Sequence, residues 1–155
     1  MREIILDTET TGLNPSEGHK VIEIAAIEIV DFLPSGKIFH KYINPERDVP
    51  QQSTDIHGLT IDFLSDKKIF RKIADEFLEF VHDVNLDFLK ADKPLKQEIA
   101  NLNGKKFIFT NGSKAHVANV TKRIGIEKLF DGVFDIVESE FIPKPSIEPV
   151  SYTHL

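Results

Sequence analysis

Three apolar segments at the start of the chain constrain its fold more than any other feature. Residues 3–6 are apolar and end at Asp7, residues 21–30 are rich in Ile and Val, and residues 37–43 follow a Pro-Ser-Gly turn. Apolar runs of this length, bounded by turn residues, are typical of buried strands. Because a short turn favours antiparallel neighbours, the sequence predicts an antiparallel ribbon at the start of the fold.

The pattern then changes to an alternation of helices and strands. Residues 44–58 are predicted to be a polar loop, and residues 67–81 carry apolar side chains at helical spacing. The later elements are a helix capped by Asp92, strand 105–110, a helix capped by Ser113 and strand 133–137. We therefore predict a three-layer α/β domain with a mixed five-stranded sheet of order 3-2-1-4-5, in which strand 105–110 lies beside strand 3–7.

The charge of the chain is unevenly distributed. The formal net charge is −6, and residues 1–83 contain 9 basic and 16 acidic side chains. An acidic half is not typical of a general nucleic-acid binder, although an enzyme that approaches phosphate through bound cations can be acidic. The chain has no cysteine, no visible signal peptide and no apolar run of membrane length. These features predict a cytoplasmic protein without disulfides, thiolate metal sites or membrane contact.

Asp7 and Glu9 are the first candidate metal ligands. Two carboxylates two residues apart at the end of a strand can point to the same side, and oxygen ligands suit Mg²⁺ or Mn²⁺. On the triplet alone, a solvated strand end is the favoured interpretation. The surrounding sequence favours a metal site instead. The segments that do so are residues 6–15 (LDTETTGLNP), 17–24 (EGHKVIEI) and 42–45 (YINP).

Together with 56–60 (IHGLT), these segments resemble the DNA polymerase III epsilon-subunit family of 3′–5′ exonucleases, over residues 1 to about 81. The resemblance implies a ribonuclease H-like fold and DNA proofreading. It also implies a single-stranded DNA 3′ end as substrate and a replicative polymerase subunit as partner.

The same resemblance implies roles for particular residues. Asp7 and Glu9 would be catalytic metal ligands, and Thr10, Thr11 and Gly12 would approach the 3′-terminal nucleotide. His57 would lie near the substrate cleft, although a histidine that fixes the turn at Gly58 is an equal alternative.

The later exonuclease motifs are not found in the sequence. The second motif of that family has an asparagine followed four residues later by an aspartate. Asn111 could stand for the asparagine, but Ala115 occupies the position of the aspartate, with His116 next to it. Two of the four carboxylates and the general-base histidine of that family are therefore missing. Their absence predicts a weak metal site and an exonuclease that is inactive or has very little turnover. His116 would be the first replacement ligand to consider.

The second half resembles a different family. Residues 106–112 (KFIFTNG), 130–137 (FDGVFDIV) and 142–145 (IPKP) are similar to haloacid dehalogenase-like pyrimidine 5′-nucleotidases. By that resemblance Thr110, Asn111 and Lys144 would bind phosphate, but the aspartate nucleophile motif is absent. The alternatives are that Thr110 merely ends a strand and that Lys144 is a solvated loop residue.

These observations predict one domain over residues 1–148, with an exonuclease-like front half (1–81) and a phosphatase-like back half (82–148). The tail 149–155 resembles translated adapter sequence and is predicted to be disordered. A third interpretation is that the chain is a non-functional chimera of two genes, joined near residues 76–83. If strand 105–110 pairs with the first strand, Asp7 would face Thr110, and a weak composite phosphatase site would follow.

Overall fold

The structure, a computed structural model, describes residues 1–139, which form two compact units. The first unit is Met1–Val81 and the second begins at His82. Lys144 and the tail 149–155 lie outside the described residues. No helix in the described part of the chain is long and apolar enough to cross a membrane.

The first unit contains the predicted antiparallel ribbon, but the turn before its third strand lies at Asp31 and Phe32, and residues 34–36 belong to that strand. Its strands are β1 (Arg2–Thr10), β2 (Val21–Val30) and β3 (Leu33–Tyr42), in the order β1-β2-β3. The strand register pairs Asp7 with Ala25, and Ala25 with His40. Three helices follow: α1 (Gln51–His57), α2 (Ile61–Leu64) and α3 (Phe70–His82), whose last residue is the first of the second unit.

The core of the first unit lies between one face of the sheet and α3. Ile24, Ala26 and Phe39 from the sheet pack with Ile73 from the helix. The Arg2 guanidinium donates to the carbonyl oxygens of Phe80 and Val81, at 2.9 and 3.0 Å. Because the last carbonyls of a helix have no partner within the helix, Arg2 joins the end of α3 to the start of β1.

The second unit has the predicted alternation of helix and strand. Its elements are α4 (Lys93–Asn101), β4 (Phe107–Phe109), α5 (Lys114–Ile124) and β5 (Gly132–Phe134). Both predicted helix caps are confirmed, since Asp92 accepts from Leu95 N at 2.9 Å and Ser113 accepts from His116 N at 3.2 Å. Strands β4 and β5 pair in parallel as a two-stranded sheet.

The mixed α/β composition is confirmed, but the five-stranded sheet of order 3-2-1-4-5 is wrong. Strand β4 has three residues, and its ladder runs to β5 and not to β1. The described strands therefore form one three-stranded and one two-stranded sheet. The proposed facing of Asp7 and Thr110 depended on that pairing and loses its basis. The three-layer arrangement and the single domain stay predictions.

Candidate active site

Asp7 and Glu9 project from one face of β1 near its end. Asp7 is exposed and Glu9 is half-buried. One oxygen of Asp7 accepts a hydrogen bond from Thr8 N at 2.9 Å. Because a carboxylate has about four acceptor positions, most of this group remains open to solvent or a cation. The structure thus brings the two predicted metal ligands to one accessible face.

Glu23 and His40 lie on the same face, and sequence reasoning assigned neither of them a role. Glu23 lies opposite Glu9 in the register of β1 and β2. His40 Nε2 is 2.6 Å from a Glu23 oxygen. This hydrogen bond directs the Glu23 carboxylate to His40 across β2 and β3. The signal was available in the sequence, because antiparallel pairing places alternate residues of neighbouring strands on one face.

On the same face as Asp7 and Glu9, a row of apolar side chains crosses all three strands. Ile5, Ile27 and Ile38 are register partners, and their exposed fractions are 57%, 37% and 67%. This face is therefore open and lies opposite the core. Within residues 1–139 no group of three or more His, Asp or Glu side chains is arranged to hold a metal ion.

The segment Thr10–Gly12 continues directly from the acidic residues. The Thr10 hydroxyl donates to the carbonyl oxygen of Gly12 at 2.8 Å. Thr11 is fully buried, so its predicted approach to a substrate cannot involve its side chain. In the described part of the chain no hydrogen bond uses the N–H groups of Gly12 and Leu13. Leu13 is fully exposed, which adds an apolar side chain that sequence analysis did not select.

His57 makes the turn-fixing contact and also keeps one nitrogen unengaged. Its Nδ1 accepts from Leu59 N at 3.1 Å, across the left-handed Gly58 that ends α1. A neutral histidine that accepts through Nδ1 carries its proton on Nε2. That Nε2 atom is buried and has no partner among the described residues. The neutral side chain therefore cannot act as a base through Nε2, and its buried Nε2–H does not reach the surface.

In the second unit, Thr110 and Asn111 lie between β4 and the start of α5. The Thr110 hydroxyl oxygen accepts from Gly112 N at 2.9 Å, and Thr110 N donates to Phe134 O at 3.0 Å. Asn111 is exposed. The resemblance to phosphatases predicts a strand followed by Thr-Asn-Gly and a helix. The same hydrogen bonds also fit the alternative that Thr110 merely ends the strand.

His116, the suspected replacement ligand, lies on the first turn of α5. Its ring stacks on His82 with 4.3 Å between the ring centroids and an interplanar angle of 21°. Lys114, on the same turn, has its pKa raised by a hydrogen bond to Glu138. These contacts belong to the second unit and give His116 a packing role there.

Comparison with known proteins supplies the family. A family model described as exonuclease, of the RNase T type, matches residues 4–120. The DNA polymerase III epsilon subunit of Rickettsia conorii is 57% identical over 86 residues, which cover 56% of this chain and 37% of that protein. The subunit of Escherichia coli is 44% identical over 89 residues, covering 55% and 37%. A 3′-exonuclease crystal structure gives a TM-score of 0.45 at 17% identity, covering 81% of this chain and 38% of that chain.

This chain belongs to the exonuclease family. Divalent metal ions are the general cofactors of that family. The chain spans less than half the length of the epsilon subunits that it matches. The family match passes residue 81 and includes Thr110 and Asn111. The resemblance to haloacid dehalogenase-like nucleotidases is not supported by these comparisons and stays a prediction.

Proposed function

We propose that this chain is a metal-dependent 3′–5′ exonuclease unit with weak turnover on the 3′ end of single-stranded DNA. The observation that carries the proposal is the position of Asp7 and Glu9 on the open face of β1, directly before Thr10–Gly12. Family membership supports the reaction class. A replicative polymerase is the proposed partner, because the matched relatives are named as polymerase subunits.

The residues present fit a loosely held divalent cation. Asp7 and Glu9 offer hard carboxylate oxygens, the donors that Mg²⁺ and Mn²⁺ prefer. When bound, such a cation lowers the pKa of an attacking water and offsets charge on the leaving oxygen. Since affinity follows the number of charged ligands, and no three-ligand group exists within residues 1–139, the site should bind the cation weakly.

The neighbouring groups can orient a terminal nucleotide. The N–H groups of Gly12 and Leu13 have no partner in residues 1–139 and can donate to a sugar or phosphate oxygen. The exposed Leu13 side chain offers an apolar contact to a base. His57 Nε2 is buried, so His57 contributes here through the turn that its Nδ1 fixes after α1. No group in this set is placed to remove a proton from water, which agrees with weak turnover.

Hydrolysis of a single-stranded oligonucleotide tests the proposal. The 5′-labelled strand is incubated with Mn²⁺, and its stepwise shortening from the 3′ end is followed by gel electrophoresis. We expect slow shortening that Asp7→Asn abolishes. Glu3→Gln is the matched control, because Glu3 is an exposed carboxylate on the same strand outside the site. Shortening that persists in Asp7→Asn would remove the ligand assignment.

A phosphatase is the second candidate function. The observation in its favour is the position of Thr110 and Asn111 between β4 and the start of α5, because the start of a helix favours an anion. A phosphate would there compete with Asp135, which accepts from Lys114 N at 3.0 Å. Lys144 would neutralise the phosphate in this proposal. Hydrolysis of an activated aryl phosphate with Mg²⁺ tests it, and loss in Thr110→Val would support it. Activity that is absent, or unchanged in Thr110→Val, would end it.

A chimera without function is the remaining interpretation. It is motivated by the two incomplete motif sets, and the boundary between the two compact units lies at residues 81 and 82. A sequencing read of the source DNA across codons 76–83 tests it directly. A continuous read would remove the chimera, whereas its repeated failure would favour it.

A further inference from the structure

His19 lies against the segment that the proposed function assigns to the terminal nucleotide. Its Nδ1 shares a 3.1 Å hydrogen bond with the Thr11 hydroxyl, and its ring packs on Gly12. We infer that His19 and Ser53 are positioning residues that hold Thr10–Gly12 in the geometry needed for strand binding. This inference rests on the proposed exonuclease function and assigns neither residue a contact with substrate.

Thr11 is the point at which these contacts meet. It is fully buried, its N–H donates to Lys20 O at 2.9 Å, and its hydroxyl oxygen accepts from Lys20 N at 3.0 Å. Its carbonyl oxygen accepts from the Ser53 hydroxyl at 3.0 Å. Every polar group of Thr11 is thus engaged within the protein. Its position is set by His19, Lys20 and Ser53, and it fixes Thr10 and Gly12 on either side.

Gly12 and His19 are coupled sterically. A Cβ atom built on Gly12 would lie 2.4 to 2.6 Å from three atoms of the His19 ring. The hydrogen bond between Nδ1 and the Thr11 hydroxyl holds the ring in this position. A side chain at position 12 must therefore displace either the segment or the ring. The absence of a side chain at Gly12 is what permits His19 to pack so closely.

Ser53 connects the same segment to α1. Residues four apart on a helix share a face, so Ser53 and His57 project from the same side of α1. The bond from Ser53 to the Thr11 carbonyl therefore fixes that side of α1 relative to Thr10–Gly12. In this arrangement Thr11 fixes α1 in a defined position relative to the proposed donors on Gly12 and Leu13.

A double-mutant cycle on the full chain tests the inference. Binding of a single-stranded oligonucleotide is measured by fluorescence anisotropy in Mn²⁺ for the wild type, Gly12→Ala, His19→Ala and the double variant. We expect each single variant to raise Kd by about three- to tenfold, as the loss of one hydrogen bond does. Gly12→Ala should add little in the His19→Ala background, because the missing ring leaves room for the new Cβ.

Two further variants separate positioning from folding. Ser16→Ala is the matched control, since it removes a 2.8 Å hydrogen bond to Asn14 in the same loop without touching Thr11. It should leave Kd unchanged, whereas Ser53→Ala should raise it. The Mn²⁺ affinity of Asp7 and Glu9 should stay within about twofold in every variant. Unchanged Kd in His19→Ala, or additive effects in the cycle, would overturn the inference.

Amide exchange in the same samples separates this inference from the proposed function. If the wild type does not bind the strand, the proposed function fails. Faster exchange of the Thr11 and Lys20 amides in His19→Ala would then still support the positioning of the segment. Unchanged exchange at both amides would overturn it as well.

Discussion

At the scale of single residues, Glu28 shows how a buried charge is kept in the first unit. The side chain is 4% exposed and accepts hydrogen bonds from Ser35 and Arg2. The Ser35 hydrogen bond, followed by that of Arg2, lowers the pKa of Glu28 below its ordinary value of 4.5. A lowered pKa means that the ionised form stabilises the folded state above pH 4.5, and that this contribution is lost as pH falls through the folded-state pKa.

We therefore expect Glu28→Gln to lower the thermal unfolding temperature at pH 7. The difference from wild type should shrink as the pH falls from about 5 to 3, because the wild-type side chain becomes protonated. Thermal unfolding followed by circular dichroism at several pH values measures this. Glu3→Gln, an exposed carboxylate on the neighbouring strand, is the control. A difference that is constant from pH 7 to pH 3 would show that charge is not the cause.

The ligand assignment at Asp7 is a second prediction at this scale. Titration with Mn²⁺ should broaden the amide resonances around Thr8 and Thr10, because these residues flank the two carboxylates. Asp7→Ala should weaken the binding by at least about tenfold, as loss of outer-shell partners alone does. Glu3→Gln should leave the titration unchanged. Broadening that survives in Asp7→Ala would place the cation elsewhere.

At the scale of elements, periodic segments were predictable and short ones were not. The strands of the first unit were predicted from their apolar runs, and α3 and α5 from helical spacing. Helix α1 was missed and assigned to a polar loop, because its seven residues (QQSTDIH) carry no apolar stripe. Its position depends on tertiary contacts such as the Ser53 bond to Thr11, which local pattern cannot reveal. The pairing of β4 with β5 is likewise non-local, which is why the sheet order was wrong.

The attachment of α3 to the sheet is a prediction of element stability. Ile73 is 2% exposed and packs with Ile24, Ala26 and Phe39. We expect Ile73→Ala to destabilise the protein by about 2–5 kcal/mol, the usual range for a truncated core side chain. Lys72→Ala, on the exposed side of the same helix, should change stability by less than about 0.5 kcal/mol. Urea unfolding measures both, and equal effects would contradict this packing.

At the scale of the whole molecule, the sequence predicted the acidic pair but not its surroundings. Asp7 and Glu9 lie together because strand alternation is a local rule. The Glu23–His40 pair and the Thr11 contacts depend on register and loop closure, which distant residues determine. The role of His57 stayed open for the same reason, since its tautomer follows from the hydrogen bond to Leu59.

From the net charge of the molecule we expect the proposed strand binding to depend on divalent cations. The chain carries a formal charge of −6, and residues 1–83 have 9 basic against 16 acidic side chains. Such a surface repels a phosphate backbone unless bound cations reverse the local field. We therefore expect binding of a single-stranded oligonucleotide to be negligible in EDTA and measurable in Mn²⁺.

Salt dependence tests this origin of binding. Proteins that make six to ten phosphate contacts through Lys and Arg lose about 10³–10⁵ in affinity between 50 and 200 mM salt. At constant Mn²⁺, this chain should lose far less, because few of its basic side chains would displace counterions from the phosphates. Asp7→Asn should remove the Mn²⁺ enhancement, and Glu3→Gln should keep it. Tight binding in EDTA with a steep salt dependence would instead require a basic surface, and would show that the acidic face does not bind the strand.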